Sequence, residues 1–332
     1  MADQHVHGTE PRARRAGHDS TAPGQGHPEQ RHGEDGEHAG HATHAGHAHG
    51  HAHADLDWAA MGPVLERSAA VYAPVYRRIA AWLGETVPAP RLVADVGSGP
   101  GVVTCLLAEH FPGARAVAVD GEGELLTRAR ERAARLGLSE RVDTLTAQLP
   151  GGLETLGPVD LTWAGRSLHH VGDQLAAIRA LAARTAPGGV LALLEGGLPS
   201  RCLPRDTGVG RPGLESRLDA AEQELFSAMR AELPGALAVR EDWPALLREA
   251  GFSRTATRTF LLDLPAPLDD ETRAYVTDEF QRRRDGLAPA LAPEDAAALD
   301  RLLDPESPDG LARREDVYVL AAQTVHVGVK EG

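Results

Sequence analysis

The chain is poor in three kinds of residue: it has two cysteines, one lysine, and aromatic side chains at only 4% of its 332 positions. The two cysteines, Cys105 and Cys202, are too few for a disulfide framework or for a zinc site made of thiolates. No apolar run approaches the length of a membrane span, and the N-terminus lacks the apolar core of a signal peptide. We therefore expect a cytoplasmic protein with no membrane partner.

Positive charge is also scarce, because 34 lysine and arginine residues face 48 acidic residues and leave a formal net charge of −14. A protein that binds nucleic acid needs a basic face, so this balance argues against nucleic acid as a partner. The length is sufficient for one large α/β domain with additions. Small molecules are therefore the expected substrates.

The most informative stretch is the run Val-Ala-Asp-Val-Gly-Ser-Gly-Pro-Gly at residues 93–101. A short apolar segment leads into alternating glycines at Gly97, Gly99 and Gly101, which indicates a strand, a tight turn and a helix N-terminus. Asp95 stands at the end of the strand, where a phosphate-binding loop has little use for a negative charge. The pattern therefore favours a cationic or amino-bearing ligand over a dinucleotide, which is the ligand of the related fingerprint G-x-G-x-x-G.

A second carboxylate, Asp120, ends the next apolar segment, 21 positions after Gly99. An acid at this spacing meets the hydroxyl groups of a ribose in nucleotide-binding folds. Because two accepting oxygens match a vicinal diol, Asp120 predicts a ligand that contains a nucleoside. It does not decide which nucleoside cofactor is bound.

Five segments in order, between about residues 91 and 258, resemble the motifs of class I S-adenosylmethionine-dependent methyltransferases. They are the glycine loop, the acid at Asp120, the stretch Gly165-Arg-Ser-Leu-His-His, the turn Ala186-Pro-Gly-Gly, and the segment Trp243-Pro-Ala-Leu-Leu-Arg-Glu-Ala-Gly-Phe. The resemblance implies S-adenosylmethionine as the cofactor and methyl transfer to a small-molecule acceptor. Whether an oxygen, a nitrogen or a carbon is methylated stays open, and some relatives use the same cofactor for other reactions.

The resemblance also implies a cofactor site. Gln148 stands where many relatives have an aspartate, and its amide oxygen can also accept a hydrogen bond from adenine. Ala164 and Arg166 are expected where the transferred methyl group and the acceptor meet. The complete expected set is Asp95, Gly97, Ser98, Gly99, Gly101, Asp120, Gly121, Leu125, Gln148, Leu149, Ala164 and Arg166.

His169 and His170 are the candidate catalytic residues, because a hydroxyl acceptor would need a general base and these are the histidines beside the expected site. Alternatively, either histidine caps or packs against the helix that follows. An amine or another nucleophile that needs no base would leave both without a chemical role. Glu195, at the end of the fifth expected strand, is a candidate for acceptor binding.

The alternation of strands and helices predicts an α/β fold, a Rossmann-like doubly wound and mostly parallel seven-stranded sheet whose last strand is antiparallel. The expected parts are a tail at residues 1–54, a helical lid at 55–86, and the cofactor-binding domain at 87–332, with a lid-like insertion at 201–240 and a helical insertion at 268–305. The helical insertion is expected to serve either acceptor specificity or the contacts of a homodimer, and the oligomeric state stays open.

The lid is expected to contain two helices that break near Gly62 and Pro63. Tyr72 and Tyr76 lie one turn apart on the second of these helices. They are expected either to line the mouth of the pocket or to pack an aromatic face on the sheet.

The tail holds twelve of the 16 histidines and almost no large apolar side chains, which predicts disorder. Its densest part offers candidate ligands for zinc or nickel, namely His38, His41, His44, His47, His49, His51 and His53. Neutral imidazoles at spacings of two and three can reach one ion. The alternatives are metal capture, which would make the chain a metal-responsive binding protein with a ligand-sensing body, and a solvated tail without a specific ligand.

Overall fold

The computed structural model describes the chain from Trp58 to Gly332, with side chains from Met61 onward. Contacts divide the chain into Met1–His47 and Ala48–Gly332, and the described residues belong to the second unit. The predicted tail and its seven candidate metal ligands lie outside the described residues.

Eight helices, a short 3₁₀ turn and seven strands make up the described part of the chain. In chain order they are α1 (Trp58–Thr86), β1 (Leu92–Val96), α2 (Val102–His110), β2 (Arg115–Asp120), α3 (Gly123–Arg135), β3 (Val142–Thr146), β4 (Val159–Gly165), the 3₁₀ turn (Leu168–His170), α4 (Gln174–Arg184), β5 (Thr185–Arg201), α5 (Leu214–Glu232), α6 (Trp243–Glu249), β6 (Arg254–Leu264), α7 (Asp270–Gly286), α8 (Pro293–Leu303) and β7 (Val319–Val329).

The strands form one sheet in the order β3-β2-β1-β4-β5-β7-β6. Neighbours from β3 to β5 are parallel, and β7 is antiparallel to both β5 and β6. The predicted α/β class, with a mostly parallel seven-stranded sheet and an antiparallel last strand, is confirmed. Strand order reverses between β1 and β4, so a crevice opens at the carboxyl edge of the sheet at that point.

Both faces of the sheet are covered, as the apolar runs of its parallel strands require. In β5, Val190, Ala192 and Leu194 belong to the core beneath α1, α7 and α8. The alternate residues Leu191 and Leu193 belong to the core beneath α4 and α6. The period of two along the strand thus divides its side chains between two cores.

The expected break near Gly62 and Pro63 is wrong, because α1 is one helix of 29 residues with Pro63 and Pro74 inside it. An interior proline costs a helix about 3 kcal/mol, since it removes a backbone hydrogen bond and crowds the preceding turn. Burial of one apolar face offsets this cost, since packing rather than propensity supplies most of a helix's stability. The buried residues of this face are Val71, Tyr72, Val75, Tyr76, Ile79, Ala80 and Leu83.

The fifth strand is longer than the predicted segment Val190–Glu195. It continues to Arg201 because β7 runs beside it, with pairs from Val190 opposite Val329 to Arg201 opposite Leu320. Beyond this strand, residues 201–240 contain α5, residues 268–305 contain α7 and α8, and the last strand runs from Val319 to Val329.

Candidate functional site

The predicted cofactor residues converge on one edge of the sheet. The carboxyl ends of β3, β2, β1 and β4 lie side by side because these strands are parallel neighbours. The glycine loop follows β1, Gly121 follows β2, Gln148 follows β3, and Arg166 follows β4. Open α/β sheets bind ligands at such an edge, where the strand order reverses.

The glycine loop is shaped by left-handed backbone at Gly97, Gly99 and Gly101, with φ of 71°, 52° and 72°. A Cβ on Gly97 would lie 2.5 Å from the Cβ of Ser167, and one on Gly101 would lie 2.5 Å from the Cβ of Ala129. A Cβ on Gly99, in contrast, would meet no atom within 4 Å. The loop therefore packs closely at both ends and leaves open space beside the main chain of Gly99, which we call the recess.

Asp120 is oriented by two backbone amides. Its Oδ2 accepts a hydrogen bond from the amide of Gly99 at 2.8 Å, and its Oδ1 accepts one from Glu122 at 3.0 Å. A carboxylate oxygen can accept more than one hydrogen bond. Both oxygens of this half-buried side chain therefore keep acceptor capacity for a pair of ligand hydroxyl groups beside the recess.

Asp95 is buried, with only 2% of its surface exposed, and accepts a hydrogen bond from Thr104 Oγ1 at 2.6 Å. Burial raises the pKa of Asp95 to about 7; the hydrogen bond from Thr104 lowers it, and the charge of Asp120 raises it. Ionising this carboxyl group is therefore costly in the protein alone. A cationic ligand beside it would stabilise the charged form.

The residues expected near adenine lie at the same edge, though in different environments. Leu125 is buried within α3, Leu149 is partly buried, and Gln148 is exposed just after β3. A Cβ on Gly121 would lie 4.0 Å from the Cβ of Gln148, so the loops after β2 and β3 approach each other. The adenine contacts of these residues stay a prediction.

The end of β4 presents two very different side chains. Ala164 is fully buried, so only its main chain can face a ligand. Arg166 is exposed and has a left-handed φ of 53°, and its guanidinium carbon lies 4.9 Å from the ring centre of Tyr72. Although part of this side chain reaches solvent, the surrounding protein desolvates the guanidinium, which lowers the pKa of Arg166; Tyr76, Tyr72 and Tyr275 raise it, and the balance lies above its ordinary value. Arg166 is therefore a permanent cation.

Tyr72 and Tyr76 are both buried in the core beneath α1, as the packing alternative predicts. The ring of Tyr72 meets that of Tyr275 edge-on at 6.1 Å, and the ring of Tyr76 meets that of Trp163 edge-on at 6.0 Å. Edge-to-face rings at this separation attract each other. The guanidinium of Arg166 packs on this aromatic cluster through the ring of Tyr72.

Helix α7 supplies Tyr275, and buried charge fixes the position of this helix. Arg283 on α7 is 3% exposed and pairs with Asp219 and Glu222 on α5, both at 3.2 Å. On the other side of α7, Asp278 pairs with Arg67 of α1. Removing one partner of a buried pair is costly, so α1, α5 and α7 are held together around the aromatic cluster.

Glu195 organises the turn after β4. Its Oε1 accepts hydrogen bonds from the amides of Ser167 and Leu168 at 3.1 and 2.9 Å, and its Oε2 lies 3.0 Å from His169 Nδ1. Because a carboxylate only accepts, we assign the proton of this contact to Nδ1, which leaves Nε2 as the basic nitrogen. The ring centre of His170 lies 4.1 Å from that of His169, with the two ring planes tilted by 49°.

Comparison with known proteins identifies the family. A model described as a methyltransferase domain matches residues 94–191. A trans-aconitate 2-methyltransferase of Acidovorax sp. (strain JS42) is 30% identical over 219 residues, which cover 60% of this chain and 82% of the relative. The chain belongs to the class I S-adenosylmethionine-dependent methyltransferase family.

Two further relatives carry the same name. The trans-aconitate 2-methyltransferase of Methylobacterium radiotolerans is 29% identical over 248 residues, which cover 74% of this chain and 83% of that protein. The one from Paracidovorax citrulli is 41% identical over 101 residues, which cover 30% of this chain and only 37% of that protein. The higher identity is thus confined to a shorter stretch of the chain.

The residues of this methyltransferase fit the cofactor of its family. The open recess at Gly99 gives a narrow ligand access to backbone, and Asp120 offers paired acceptors for a ribose diol. Asp95 and Asp120 bring two acidic groups to this edge of the sheet, which suits a ligand that carries the positive charges of sulfonium and ammonium groups. A dinucleotide, whose pyrophosphate is anionic, does not suit a buried carboxylate at this position.

Other features of the described residues lie elsewhere or are absent. A cavity of about 410 Å³, lined by Leu156, Thr185 and Lys330 among others, lies near the start of β5, at the opposite edge of the sheet. No cluster of three potential metal ligands occurs among residues 58–332. Within the same part of the chain, no helix combines the length and the apolar character required to cross a bilayer.

Sequence reasoning missed three contributors to the site. Thr104 lies one turn into α2, where its bond to Asp95 follows from the fold rather than from a motif. Tyr275 comes from the insertion, more than 100 residues from the end of β4. Glu195 was a candidate for acceptor binding, which stays a prediction; the sequence did not indicate that this carboxylate also holds the turn after β4. The sequence signal that pointed to Glu195 was an acidic residue at the end of a buried strand.

Proposed function

We propose that this methyltransferase transfers a methyl group to a small organic acid, with a carboxylate oxygen as the acceptor atom. The observation that carries the methyl-transfer proposal is the pair of carboxylates, Asp95 and Asp120, at the ends of adjacent strands beside an open glycine recess. Three relatives are named for trans-aconitate, a tricarboxylate, which supports an organic acid.

When bound, S-adenosylmethionine supplies a methyl group made electrophilic by a sulfonium. Asp120 would bind the ribose hydroxyls, Asp95 would stabilise the positive charge, and the main chain of the glycine loop would contact the methionyl part. The chemistry available there would be displacement at the methyl carbon by an acceptor oxygen, with the electron pair of the broken carbon–sulfur bond left on sulfur. Catalysis then consists mainly of holding the two reactants in line and excluding water.

The acceptor atom determines whether a base is needed. A carboxylate already carries the electron pair and the negative charge, so its methylation gives an ester and releases no proton. A hydroxyl acceptor would lose its proton, and His169 Nε2 is the nitrogen that we propose as the base in that case. Proton release measured in weakly buffered solution separates the two, with none per turnover for an acid and one for a hydroxyl group.

Transfer of a labelled methyl group from S-adenosylmethionine tests the proposal. We expect trans-aconitate or another small polycarboxylate to become labelled in a base-labile form, since methyl esters are cleaved by alkali. Label that appears only in amines, hydroxyl compounds or nucleic acid would refute the carboxylate acceptor. Failure to bind the cofactor would refute methyl transfer altogether.

The predictions that concern the tail and the surroundings of the enzyme remain proposals. Metal binding by the histidines of residues 1–54 is supported by their spacing alone, and titration of Zn²⁺ before and after removal of this segment tests it. Cytoplasmic location and a homodimer are likewise proposed from the sequence. Cell fractionation and sedimentation test these two.

A further inference from the structure

Arg166 is one of the arginines in the described part of the chain that form no ion pair with an acidic side chain. Fifteen others there form ion pairs, from Arg67 to Arg314. The guanidinium of Arg166 instead lies over the ring of Tyr72. Besides a hydrogen bond to the side chain of Tyr72, the guanidinium keeps further N–H groups that can donate.

The phenols around Arg166 do not neutralise its charge. Burial raises the pKa of both Tyr76 and Tyr275 above the ordinary value, so these side chains remain neutral at physiological pH. Glu279, the acid whose charge reaches Arg166, is already paired with Arg282. A cation without an ion-pair partner, beside neutral phenols, attracts an anionic group from outside the chain.

The backbone at Arg166 indicates a function more directly. It is the one residue other than glycine with a positive φ in residues 58–332. A side chain in this conformation costs about 1–2 kcal/mol, which glycine would avoid. Strained residues of this kind persist where they serve a site.

The position of Arg166 places it beside the methyl donor. Its neighbour Ser167 packs against Gly97, the first glycine of the cofactor loop, so closely that a Cβ there would come within 2.5 Å of the Ser167 Cβ. On its other side, Tyr76 is near enough to both Asp95 and Arg166 for their charges to act on its phenol. A small molecule on Arg166 would therefore extend toward the bound cofactor.

We propose that Arg166, supported by Tyr72 and Tyr275, binds one carboxylate group of the acceptor while another carboxylate of the same molecule receives the methyl group. This inference rests on the proposed function and assigns a specificity residue to it. A guanidinium donates two parallel hydrogen bonds to a carboxylate. The site thus selects acceptors with at least two acidic groups.

Calorimetry on the full chain saturated with S-adenosylhomocysteine tests the proposal, with trans-aconitate and its uncharged trimethyl ester as probes. We expect the wild type to bind the acid and not the ester. Arg166→Gln should weaken binding of the acid about 30- to 100-fold, the effect of losing charge-assisted hydrogen bonds. Arg166→Lys should recover part of this loss, because it restores charge without the paired geometry.

Two further measurements separate binding from folding. Arg166→Gly relieves the strained backbone, so its thermal midpoint should equal or exceed that of the wild type while binding of the acid is lost. The matched control is Arg254→Gln, an exposed arginine at the start of β6 on the opposite edge of the sheet, which should bind the acid normally. The Arg254→Gln control should also bind S-adenosylhomocysteine within about twofold of the wild type.

The outcomes distinguish the two proposals. Equal affinity of the wild type and Arg166→Gln for the acid overturns the role of Arg166. Equal binding of the acid and the ester also overturns it. The same holds if the wild type, saturated with S-adenosylhomocysteine, binds none of a panel of mono-, di- and tricarboxylates. In each of these cases methyl transfer to another acceptor would still stand. A wild type that does not bind S-adenosylhomocysteine overturns the proposed function itself.

Discussion

The variant Asp95→Asn should be more stable than the wild type at pH 8 and yet bind S-adenosylmethionine more weakly. The pKa of Asp95 rises from 3.8 to about 7 on folding, so ionising this carboxyl group costs up to about 4 kcal/mol of stability at high pH. The stability that the neutral carboxyl group contributes is fully present below pH 3.8. It is lost as the pH rises from 3.8 through about 7. The wild type should therefore lose about 3 kcal/mol relative to the variant between pH 5 and pH 8.

Urea unfolding of both proteins at pH 5, 6, 7 and 8 measures this difference, and comparing the two cancels the contribution of groups that they share. Asp143→Asn is the control, because this carboxylate lies on the exposed surface of β3 and its loss should change stability by less than about 1 kcal/mol at every pH. A stability difference between the wild type and Asp95→Asn that stays constant from pH 5 to 8 would refute the reasoning. So would a variant that binds the cofactor as tightly as the wild type.

Three other substitutions test separate parts of the site. Asp120→Asn keeps one accepting oxygen of two and should weaken binding of S-adenosylhomocysteine about 100-fold in calorimetry; unchanged affinity would contradict the ribose assignment. Gly101→Ala adds a Cβ at a φ of 72° with no space for it, and should lower the free energy of unfolding in urea by about 2–4 kcal/mol. Its control is Gly123→Ala, whose added Cβ meets nothing within 4 Å and should lower the same free energy by less than about 1 kcal/mol. Glu195→Gln should move the imidazole proton of His169 from Nδ1 to Nε2, visible in ¹⁵N spectra; an unchanged tautomer would show that Glu195 does not set it.

The sequence alone predicts the cofactor half of the site because its signals are local. Alternating glycines after an apolar run require left-handed backbone at Gly97, Gly99 and Gly101, and an acid about 20 residues on falls at the end of the neighbouring strand. Parallel strands then bring Asp95 and Asp120 to one edge. These inferences need only the chain's own periodicity and the rule that crossovers are right-handed.

The acceptor half of the site is not predictable in this way because its contacts span the chain. Tyr72, Arg166 and Tyr275 meet only after α1 and α7 pack against the same face of the sheet. The unbroken α1 has a similar cause, since burial against the sheet outweighs the local effect of its two prolines. Local patterns carry no information about which distant helix will cover a strand.

The most direct test of the account is calorimetric titration of the full chain with S-adenosylhomocysteine, followed by the same titration with a nicotinamide dinucleotide. We predict that one molecule of S-adenosylhomocysteine binds per chain and that the dinucleotide produces no binding heat. Binding of the dinucleotide, with no response to S-adenosylhomocysteine at millimolar concentration, would contradict the assignment of Asp95 and Asp120 to a sulfonium nucleoside.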